Sequence, residues 1–402
     1  MKHIFSLFAI FICLFCNAQT WTPQTSVSTF DLYGCSFPDA NHGWVCGLTG
    51  TIEVTIDAGQ TWTLQTTNVT DNLRGIFCTD TQNGWCVGDN GKILHTSNGG
   101  TTWSAQTSGV TTSLRSVHFT DVNNGWACGL TGVVLHTANG GTTWSPQNSM
   151  STQGLGCVDF TDANNGWIAG SSQPSTNGFI LHTSNGGTVW GTQTVPTVQN
   201  MLGITFYDAN NGWACGTAGV IYHTINGGTT WTTQNSTTSH VWRSIDFVTL
   251  TDGWAVGDSG NVVHTSNGGT TWAVQPTFMI SFLRGVHFVT PVIGWAIGDN
   301  GSILKYSTPG GIQSPTEVEQ LNIFPNPSNG NFTMQVESKK DAIADEKIMD
   351  VFGKIISENK IAVQNGTTTV QVDLPQSCTN GIYLVSIDGL ETRQVGRVIL
   401  SR

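Results

Sequence analysis

Apolar and polar residues alternate in short runs along this chain, and clusters of turn residues separate the runs. Residues 114–120 alternate as a half-buried strand does, and an Asp/Asn/Gly turn follows them. Trp126 opens a second run, and a third run, 133–137, follows a turn that ends in Gly. Asn139-Gly-Gly then leads into a fourth run, which carries Trp144. The pattern predicts four antiparallel strands, called A to D in chain order.

The same pattern recurs seven times, and two series of tryptophans mark it. Gly-Trp pairs open strand B, and the stretch Thr-Trp-x-x-Gln (once Val-Trp) lies at strand D. Successive copies in either series are 41 residues apart, except for one interval of 46. A strand-rich period of about 40 to 45 residues is typical of a β-propeller blade. The tryptophans are Trp44, Trp85, Trp126, Trp167, Trp213, Trp254 and Trp295, and Trp21, Trp62, Trp103, Trp144, Trp190, Trp231 and Trp272.

The two ends of the repeat predict how the ring closes. The last blade has Gly294-Trp295 but no Thr-Trp after it, whereas Trp21 lies in a D strand with no blade before it. We therefore expect the N-terminal strand to pair with the last blade near Tyr306, which leaves no free edge. The predicted fold is all-β: a seven-bladed β-propeller over residues 19–311, closed by its N-terminal strand.

Composition and the N-terminus indicate export. Charged residues make up 10% of the 402 residues, and the net charge of −11 argues against nucleic acid and anionic membranes as partners. Met1-Lys2-His3, the apolar run 4–15 and Ala18 are typical of a secretory signal peptide, so we expect cleavage after residue 18. No later segment is apolar for long enough to span a bilayer, so no transmembrane segment is predicted.

Two motifs in the blades resemble known families. Thr55-Ile-Asp-Ala-Gly-Gln-Thr-Trp62 resembles the Asp-box repeat of bacterial neuraminidases, and five later copies carry Asn in place of the Asp. This motif closes a hairpin, with a short acceptor side chain and a Gly of positive φ, and indicates no catalysis. The phrase Leu-Arg-x-Val-x-Phe-Thr-Asp-x-Asn-Asn-Gly-Trp more closely resembles seven-bladed propellers related to the photosystem II assembly and stability factor.

The repeat stops after Gly311, and a Gly/Ser/Pro-containing linker at 312–320 follows. Short alternating strands and Gly/Pro turns then predict a small β-sandwich over 321–402. Leu321-Asn-Ile-Phe-Pro, Ile348-Met-Asp-Val-Phe-Gly-Lys and Gly381-Ile-Tyr-Leu-Val resemble the type A C-terminal sorting domain of the type IX secretion system of Bacteroidetes. That resemblance implies the type IX machinery as a partner and a secreted or outer-surface location, which argues against a photosynthetic role.

Candidate binding residues lie at the start of strand A. The four arginines of the propeller share the position eleven residues before the blade Trp, and blade 1 has a tyrosine there. Strand A is innermost in propellers, and the next residue is small in every blade. We therefore expect these side chains at one channel mouth, where guanidinium groups can bind a carboxylate, sulfate or phosphate. The candidate ligand-binding residues are Tyr33, Arg74, Arg115, Arg243 and Arg284.

The alternative is that each arginine only joins the blades, by bonding backbone carbonyls or an Asp such as Asp159 or Asp246. Loop placement favours binding. Blade 4 has five extra residues, within 171–178 between strands B and C, and the loop 278–282 is apolar. We expect both on the same face as the arginines, where binding loops usually lie.

No catalytic, metal or cofactor site is predicted. Glu53 is the only Glu of the propeller, and most Asp residues occupy turns. Five histidines share one position on strand C, too far apart around the ring to share a metal with bonds of about 2 Å. Cysteines such as Cys46 are expected to act as small buried hydrophobes, with a Cys35–Cys46 disulfide as the less favoured alternative.

The sequence therefore predicts a secreted or cell-surface, non-enzymatic propeller that recognises a protein, a peptide or an anionic polysaccharide on its arginine-bearing face. Two alternatives stay open. One is a glycoside hydrolase that uses Asp carboxylates on that face. The other is a purely structural adhesion component.

Overall fold

The computed structural model describes residues 20–171, 177–196, 199–277, 279–307, 318–350, 355–388, 390 and 393–402. The predicted signal peptide, residues 172–176 of the blade-4 insertion, Phe278 and the first part of the linker lie outside these ranges. The chain divides into two compact units, 1–309 and 310–402. None of the helices in the described ranges has the length and apolar character that a membrane crossing requires.

Seven antiparallel four-stranded sheets form the first unit, and six of them take their strands in chain order after β1 (Thr20–Gln24). Blades 1 to 3 contain β2 (Leu32–Ser36), β3 (Gly43–Gly47), β4 (Ile52–Thr55), β5 (Thr63–Leu64), β6 (Leu73–Cys78), β7 (Gly84–Gly88), β8 (Ile93–Thr96), β9 (Ser104–Gln106), β10 (Leu114–Phe119), β11 (Gly125–Gly129), β12 (Val133–Thr137) and β13 (Ser145–Asn148). Blades 4 to 6 contain β14 (Gly154–Phe160), β15 (Gly166–Ser171), β16 (Gly178–Thr183), β17 (Gly191–Gln193), β18 (Met201–Phe206), β19 (Gly212–Gly216), β20 (Val220–Thr224), β21 (Thr232–Asn235), β22 (Trp242–Phe247), β23 (Gly253–Gly257), β24 (Val262–Thr265) and β25 (Ala273–Gln275).

Blade 7 is assembled from both ends of the unit. It contains β1 beside β26 (Leu283–Thr290), β27 (Ile293–Gly298) and β28 (Ile303–Ser307). β1 runs antiparallel to β28, with Trp21 opposite Tyr306, as the sequence predicts. Phe37 of blade 1 stacks on Trp295 of blade 7, with ring centroids 4.0 Å apart. Blade 7 therefore contacts blade 1 through the same type of ring stack that joins each blade from blade 2 to blade 6 to the next one.

The Gly-Trp pairs build these stacks. Trp126 of blade 3 lies between Phe160 of blade 4, at 3.7 Å, and His136 of its own blade, at 4.7 Å between ring centroids. Gly125 is required because a Cβ there would lie 2.4 Å from the ring of Phe119. Each blade thus buries its tryptophan against the next blade, which explains why the pair recurs.

The Thr-Trp-x-x-Gln stretch joins neighbouring blades through hydrogen bonds. Gln106 Nε2 donates to the Gly140 carbonyl of the next blade, at 2.8 Å. Its Oε1 accepts a bond from Trp144 Nε1, at 3.0 Å. Trp85 Nε1 also donates to the Gly140 carbonyl. Strand D begins one residue after the tryptophan, because the first ladder pair after the turn is Ser145 with His136.

The Asp-box turns close the C–D hairpins as the resemblance implies. In blade 3, Asn139 Oδ1 accepts the N–H of Thr143 at 2.9 Å, and Thr137 Oγ1 accepts the N–H of Gly141 at 2.8 Å. Gly141 has a φ of +87°, which favours glycine.

Six short 3₁₀ turns connect strand B to strand C in the blades other than blade 4. Each begins at the residue directly after strand B, so the same repeat position opens every one of them. They are Leu48–Gly50, Asp89–Gly91, Leu130–Gly132, Thr217–Gly219, Asp258–Gly260 and Asp299–Gly301.

The second unit has two sheets. Its strands are β29 (Val318–Gln320), β30 (Asn322–Phe324), β31 (Asn331–Ser338), β32 (Ala342–Asp350), β33 (Ile355–Val363), β34 (Gly366–Asp373), β35 (Gly381–Asp388) and β36 (Arg393–Leu400). The five-stranded sheet has the order β29, β36, β35, β32, β33, and the three-stranded sheet has the order β30, β31, β34. Phe332 and Met334 from the smaller sheet and Ile348 and Val385 from the larger one belong to one buried cluster.

One sequence-based expectation needs correction, and one alternative is excluded. The predicted linker 312–320 is too long, because β29 lies within it and pairs in parallel with β36. That partner is far away in sequence, so no local pattern indicates the strand. The disulfide alternative is also absent: the eight described cysteines are free thiols, and Cys46 is buried as a small hydrophobe.

Candidate functional site: the arginine mouth

A β-bulge positions each candidate residue. In blade 2, Leu73 pairs with Gly88 and Gly75 pairs with Val87, so Arg74 is the extra residue of the strand. A bulge bends the strand and redirects its side chain. The other six strands A have the same register shift, at Tyr33, Arg115, Gly156, Leu202, Arg243 and Arg284.

The structure brings the five predicted site residues together. They line one cavity of about 420 Å³, here called the arginine mouth, with Leu130, Gly154, Leu155, Gly156, Ser171, Met201 and Leu202. A second cavity, which shares these arginines, is lined by strand A residues of all seven blades. Ser171, where the blade-4 insertion begins, also lines the mouth, so that end of the insertion lies on the arginine face as expected.

Close approach of the strands A explains the small residue that follows each candidate position. A Cβ added at Gly34 would lie 3.0 Å from Gly75 Cα, and one added at Gly75 would lie 2.9 Å from the Arg115 carbonyl oxygen. Larger side chains would force neighbouring strands apart.

Three of the four arginines form ion pairs within their own blades. Arg74 Nη2 lies 2.8 Å from Asp89 Oδ2, and its Nε donates to Asp89 Oδ1. Arg243 pairs with Asp258, and Arg284 pairs with Asp299. Each Asp lies fifteen residues after its Arg and opens the 3₁₀ turn between strands B and C. These three guanidinium groups are therefore neutralised by carboxylates at the rim.

The Asp89 carboxylate also accepts bonds from the side chains of Asn72, at 2.9 Å, and Ser113, at 2.6 Å. Burial by itself would raise the pKa of Asp89. The hydrogen bonds from Arg74, Ser113 and Asn72 outweigh burial and hold that pKa well below its usual value. The pair with Arg74 is therefore ionised at neutral pH.

Asp159 and Asp246 are not the partners of the arginines, contrary to the alternative above. Asp159 accepts the N–H of Phe206 in the next blade, at 2.6 Å, and Asp246 accepts that of Phe288, also at 2.6 Å. They connect neighbouring blades deeper in strand A. Asp residues do pair with the arginines, but they are Asp89, Asp258 and Asp299 and not Asp159 or Asp246.

The aspartates that pair with the arginines could have been found in the sequence by comparing the blades. Blades 2, 6 and 7 carry both the Arg and the Asp fifteen residues later. Blades 1, 4 and 5 carry neither, with Leu48, Ser171 and Thr217 at the second position. The Asp residues of these turns therefore pair with Arg as well as forming turns.

Blade 3 departs from this rule. It has Arg115, but the residue fifteen positions later is Leu130. Arg115 forms no ion pair or hydrogen bond with the described residues, and its Nε is buried without a partner. Burial lowers the pKa of Arg115, and the positive charge of nearby Arg74 lowers it further. Arginine stays charged all the same, so Arg115 presents an uncompensated charge to the mouth.

Tyr33 lies between two arginines. The Cζ atoms of Arg74 and Arg284 are 4.5 Å and 4.9 Å from the centre of its ring, within the range of cation–π contacts. Arg243 lies over Phe282 in the same way, at 5.1 Å. Blades 6, 7, 1, 2 and 3 thus form a cationic crescent.

Blades 4 and 5 carry Gly156 and Leu202 at this position, which leaves the remaining part of the mouth open and apolar. Together with Leu130 of blade 3, these two residues are here called the apolar sector. The arginine mouth therefore has one charged side and one uncharged side.

Two parts of the chain match known families. Residues 16–107, 106–194 and 188–277 match the family described as photosynthesis system II assembly factor YCF48. The chain belongs to this family. Residues 322–401 match the secretion system C-terminal sorting domain, which indicates type IX secretion and a secreted or surface location. A comparison with curated proteins found no match.

Solved structures share the propeller fold. YCF48 bound to D1 peptide is 21% identical, with a TM-score of 0.62, and the match covers 73% of this chain and 98% of that one. YCF48 from Cyanidioschyzon merolae is 20% identical, with a TM-score of 0.61 and coverage of 73% and 100%. PorZ, an essential surface component of the type-IX secretion system of Porphyromonas gingivalis, is 13% identical, with a TM-score of 0.59 and coverage of 94% and 60%.

Proposed function

We propose that this protein is an exported, non-enzymatic propeller that binds a protein, a peptide or an anionic polysaccharide in the arginine mouth. The observation that carries the proposal is the unpaired Arg115 in an open cavity, next to three arginines that already have carboxylate partners. A guanidinium with free donors is a site for an anionic group. A similar propeller, YCF48, has been solved bound to D1 peptide, which makes a peptide ligand reasonable for this fold.

In this function the seven sheets form one ring closed by β1, and the C-terminal unit is a β-sandwich that directs type IX export after removal of a signal peptide. Support for closure comes from the pairing of Trp21 with Tyr306 and the stacking of Phe37 on Trp295. Support for the sandwich comes from the buried cluster that its two sheets share.

Binding is favoured over glycoside hydrolysis by the state of the carboxylates. Asp89, Asp258 and Asp299 are bonded to arginines, and the pKa of Asp89 is held well below its usual value. A glycosidase needs a carboxylic acid of raised pKa about 5 to 10 Å from a second carboxylate. Burial raises the pKa of Asp246, but its carboxylate accepts the N–H of Phe288 in the next blade and so has a structural role.

The test uses the mature chain, residues 19–402, on an array of peptides and anionic glycans. We expect retention of at least one anionic class by the native protein and at least tenfold weaker retention by Arg115→Ala, with an unchanged melting temperature. Lys360→Ala, which removes an exposed cation of the C-terminal unit, is the matched control. Retention that Arg115→Ala leaves intact, or new reducing ends on bound glycans, would refute the proposal.

A further inference from the structure

The charge balance of the arginine mouth limits how many anionic groups it can hold. Four arginines and three paired aspartates leave one net positive charge, on Arg115. No acidic residue lines the cavity among the described residues. A polyanionic chain binds tightly where several unpaired cations are spread over a surface, and the mouth has one unpaired cation. The geometry therefore favours a ligand with a single carboxylate at this point.

The surroundings of Arg115 are apolar on one side. Leu130 of the same blade is 37% exposed, and Leu202 lines the cavity opposite the crescent. Between them, a Cβ added at Gly156 would find its nearest neighbour 3.7 Å away, so the cavity has room there. An aliphatic group in this sector would cover Leu130 and Leu202 and exclude water from them.

We propose that the ligand of the arginine mouth is a polypeptide with a free C-terminus and an aliphatic last residue. Its terminal carboxylate binds Arg115, and its last side chain occupies the apolar sector. This inference rests on the proposed function and narrows it. In a C-terminal residue the carboxylate and the side chain are attached to the same Cα. One residue can therefore reach both Arg115 and the adjoining apolar sector. A cavity of about 420 Å³ is within the range of about 300 to 1,000 Å³ found for ligand pockets.

The repeat itself supplies a sharp test variant. Leu130→Asp places a carboxylate fifteen residues after Arg115, where blades 2, 6 and 7 carry the Asp that neutralises their arginine. The substitution is compatible with folding because the same turn position holds Asp in three other blades. Leu130→Asn has a similar shape and no charge, so it is the matched control. Gly156→Leu fills the apolar sector with the residue that blade 5 has at this position.

The experiment measures the fluorescence anisotropy of labelled hexapeptides, which carry no charged groups other than those named here, with the mature chain. The probes end in Leu with a free carboxylate, in Leu-amide, or in Lys with a free carboxylate, and a fourth is amidated with one internal Asp. We expect the Leu-carboxylate peptide to bind at least tenfold more tightly than the other three. Leu130→Asp and Gly156→Leu should each weaken its binding at least tenfold, and Leu130→Asn, which loses the apolar contact but adds no charge, should weaken it clearly less than Leu130→Asp does.

Several outcomes overturn the inference, and they differ in what they say about the proposed function. Equal binding of the amide, or of the internal Asp peptide, would refute C-terminal recognition. If these peptides or a sulfated polysaccharide still lost affinity in Arg115→Ala, the mouth would remain a binding site. Equal affinity of Leu130→Asp and native protein, with both folded by circular dichroism, would remove Arg115 from the site. If no peptide bound, the inference would fail, and if no anionic glycan bound either, the proposed function would fail with it.

Discussion

The imidazole ring of His136 stacks on the indole of Trp126, with centroids 4.7 Å apart and ring planes inclined by 28°. Blades 2, 4, 5 and 6 contain the same stack. The histidine position that recurs on strand C therefore belongs to the aromatic packing of each blade. The stacked histidines are His95, His136, His182, His223 and His264.

These stacks make stability depend on pH. Burial lowers the pKa of all five histidines, so the folded state favours the neutral imidazole. In the unfolded chain, histidine has a pKa of about 6.5 and takes up a proton first as the pH falls. The stabilisation is therefore complete above about pH 6.5 and is lost below it. We expect the melting temperature, measured by calorimetry, to fall as the pH decreases from 7.5 to 5.

A single substitution tests how much one histidine contributes to the pH dependence of stability. Val54 occupies this position in blade 1, so His136→Val suits the fold. The variant should lose less stability than the native protein between pH 7.5 and 5, even if its stability at pH 7.5 is lower. Parallel pH curves for the two proteins would contradict the assignment.

Arg74 and Arg115 should respond in opposite ways to the same substitution. Arg74→Leu leaves the half-buried Asp89 carboxylate without its guanidinium partner, so the free energy of unfolding should fall by about 1 to 3 kcal/mol. Arg115→Leu removes a guanidinium that has no partner, so the free energy of unfolding should stay the same or rise. Urea denaturation at pH 7.5 measures both, and equal losses would show that Arg115 has a structural partner.

Gln106 should contribute more to stability than an exposed glutamine does. Gln106→Ala removes the bond to the Gly140 carbonyl and leaves Trp144 Nε1 without its acceptor, at an expected cost of about 1 to 3 kcal/mol. Gln60 is exposed and bonds only within its own turn, so Gln60→Ala should change stability by less than about 0.5 kcal/mol. Similar effects in urea denaturation would argue against the inter-blade role.

Trp21 tests whether the N-terminal strand contributes to the stability of blade 7. Its side chain is 4% exposed and contacts Phe288 and Tyr306. Trp21→Ala should lower the free energy of unfolding by about 3 to 5 kcal/mol. Thr22→Ala, on the exposed side of the same strand, should cost less than about 1 kcal/mol. A small effect of Trp21→Ala would mean that the strand contributes little to blade 7.

The repeat period was enough to predict the blades, because each copy must bury its own tryptophan and form its own hairpins. The joint occurrence of Arg and Asp fifteen residues apart also identifies the ion pairs once it is compared between blades. The pairing of β29 with β36 could not be predicted in this way, because its two strands are distant in sequence and form a single parallel pair.

Local spacing and side-chain chemistry were thus sufficient for the number of blades, the position of Trp21 opposite Tyr306 and the convergence of the arginines on one mouth. The Arg–Asp spacing also indicates which guanidinium groups have a carboxylate partner, but it does not reveal how deeply a guanidinium is buried. The bulge that redirects Arg115 and the packing that buries its Nε arise only when separate strands meet. Desolvation acts over a few ångströms in space, so the three-dimensional fold decides it.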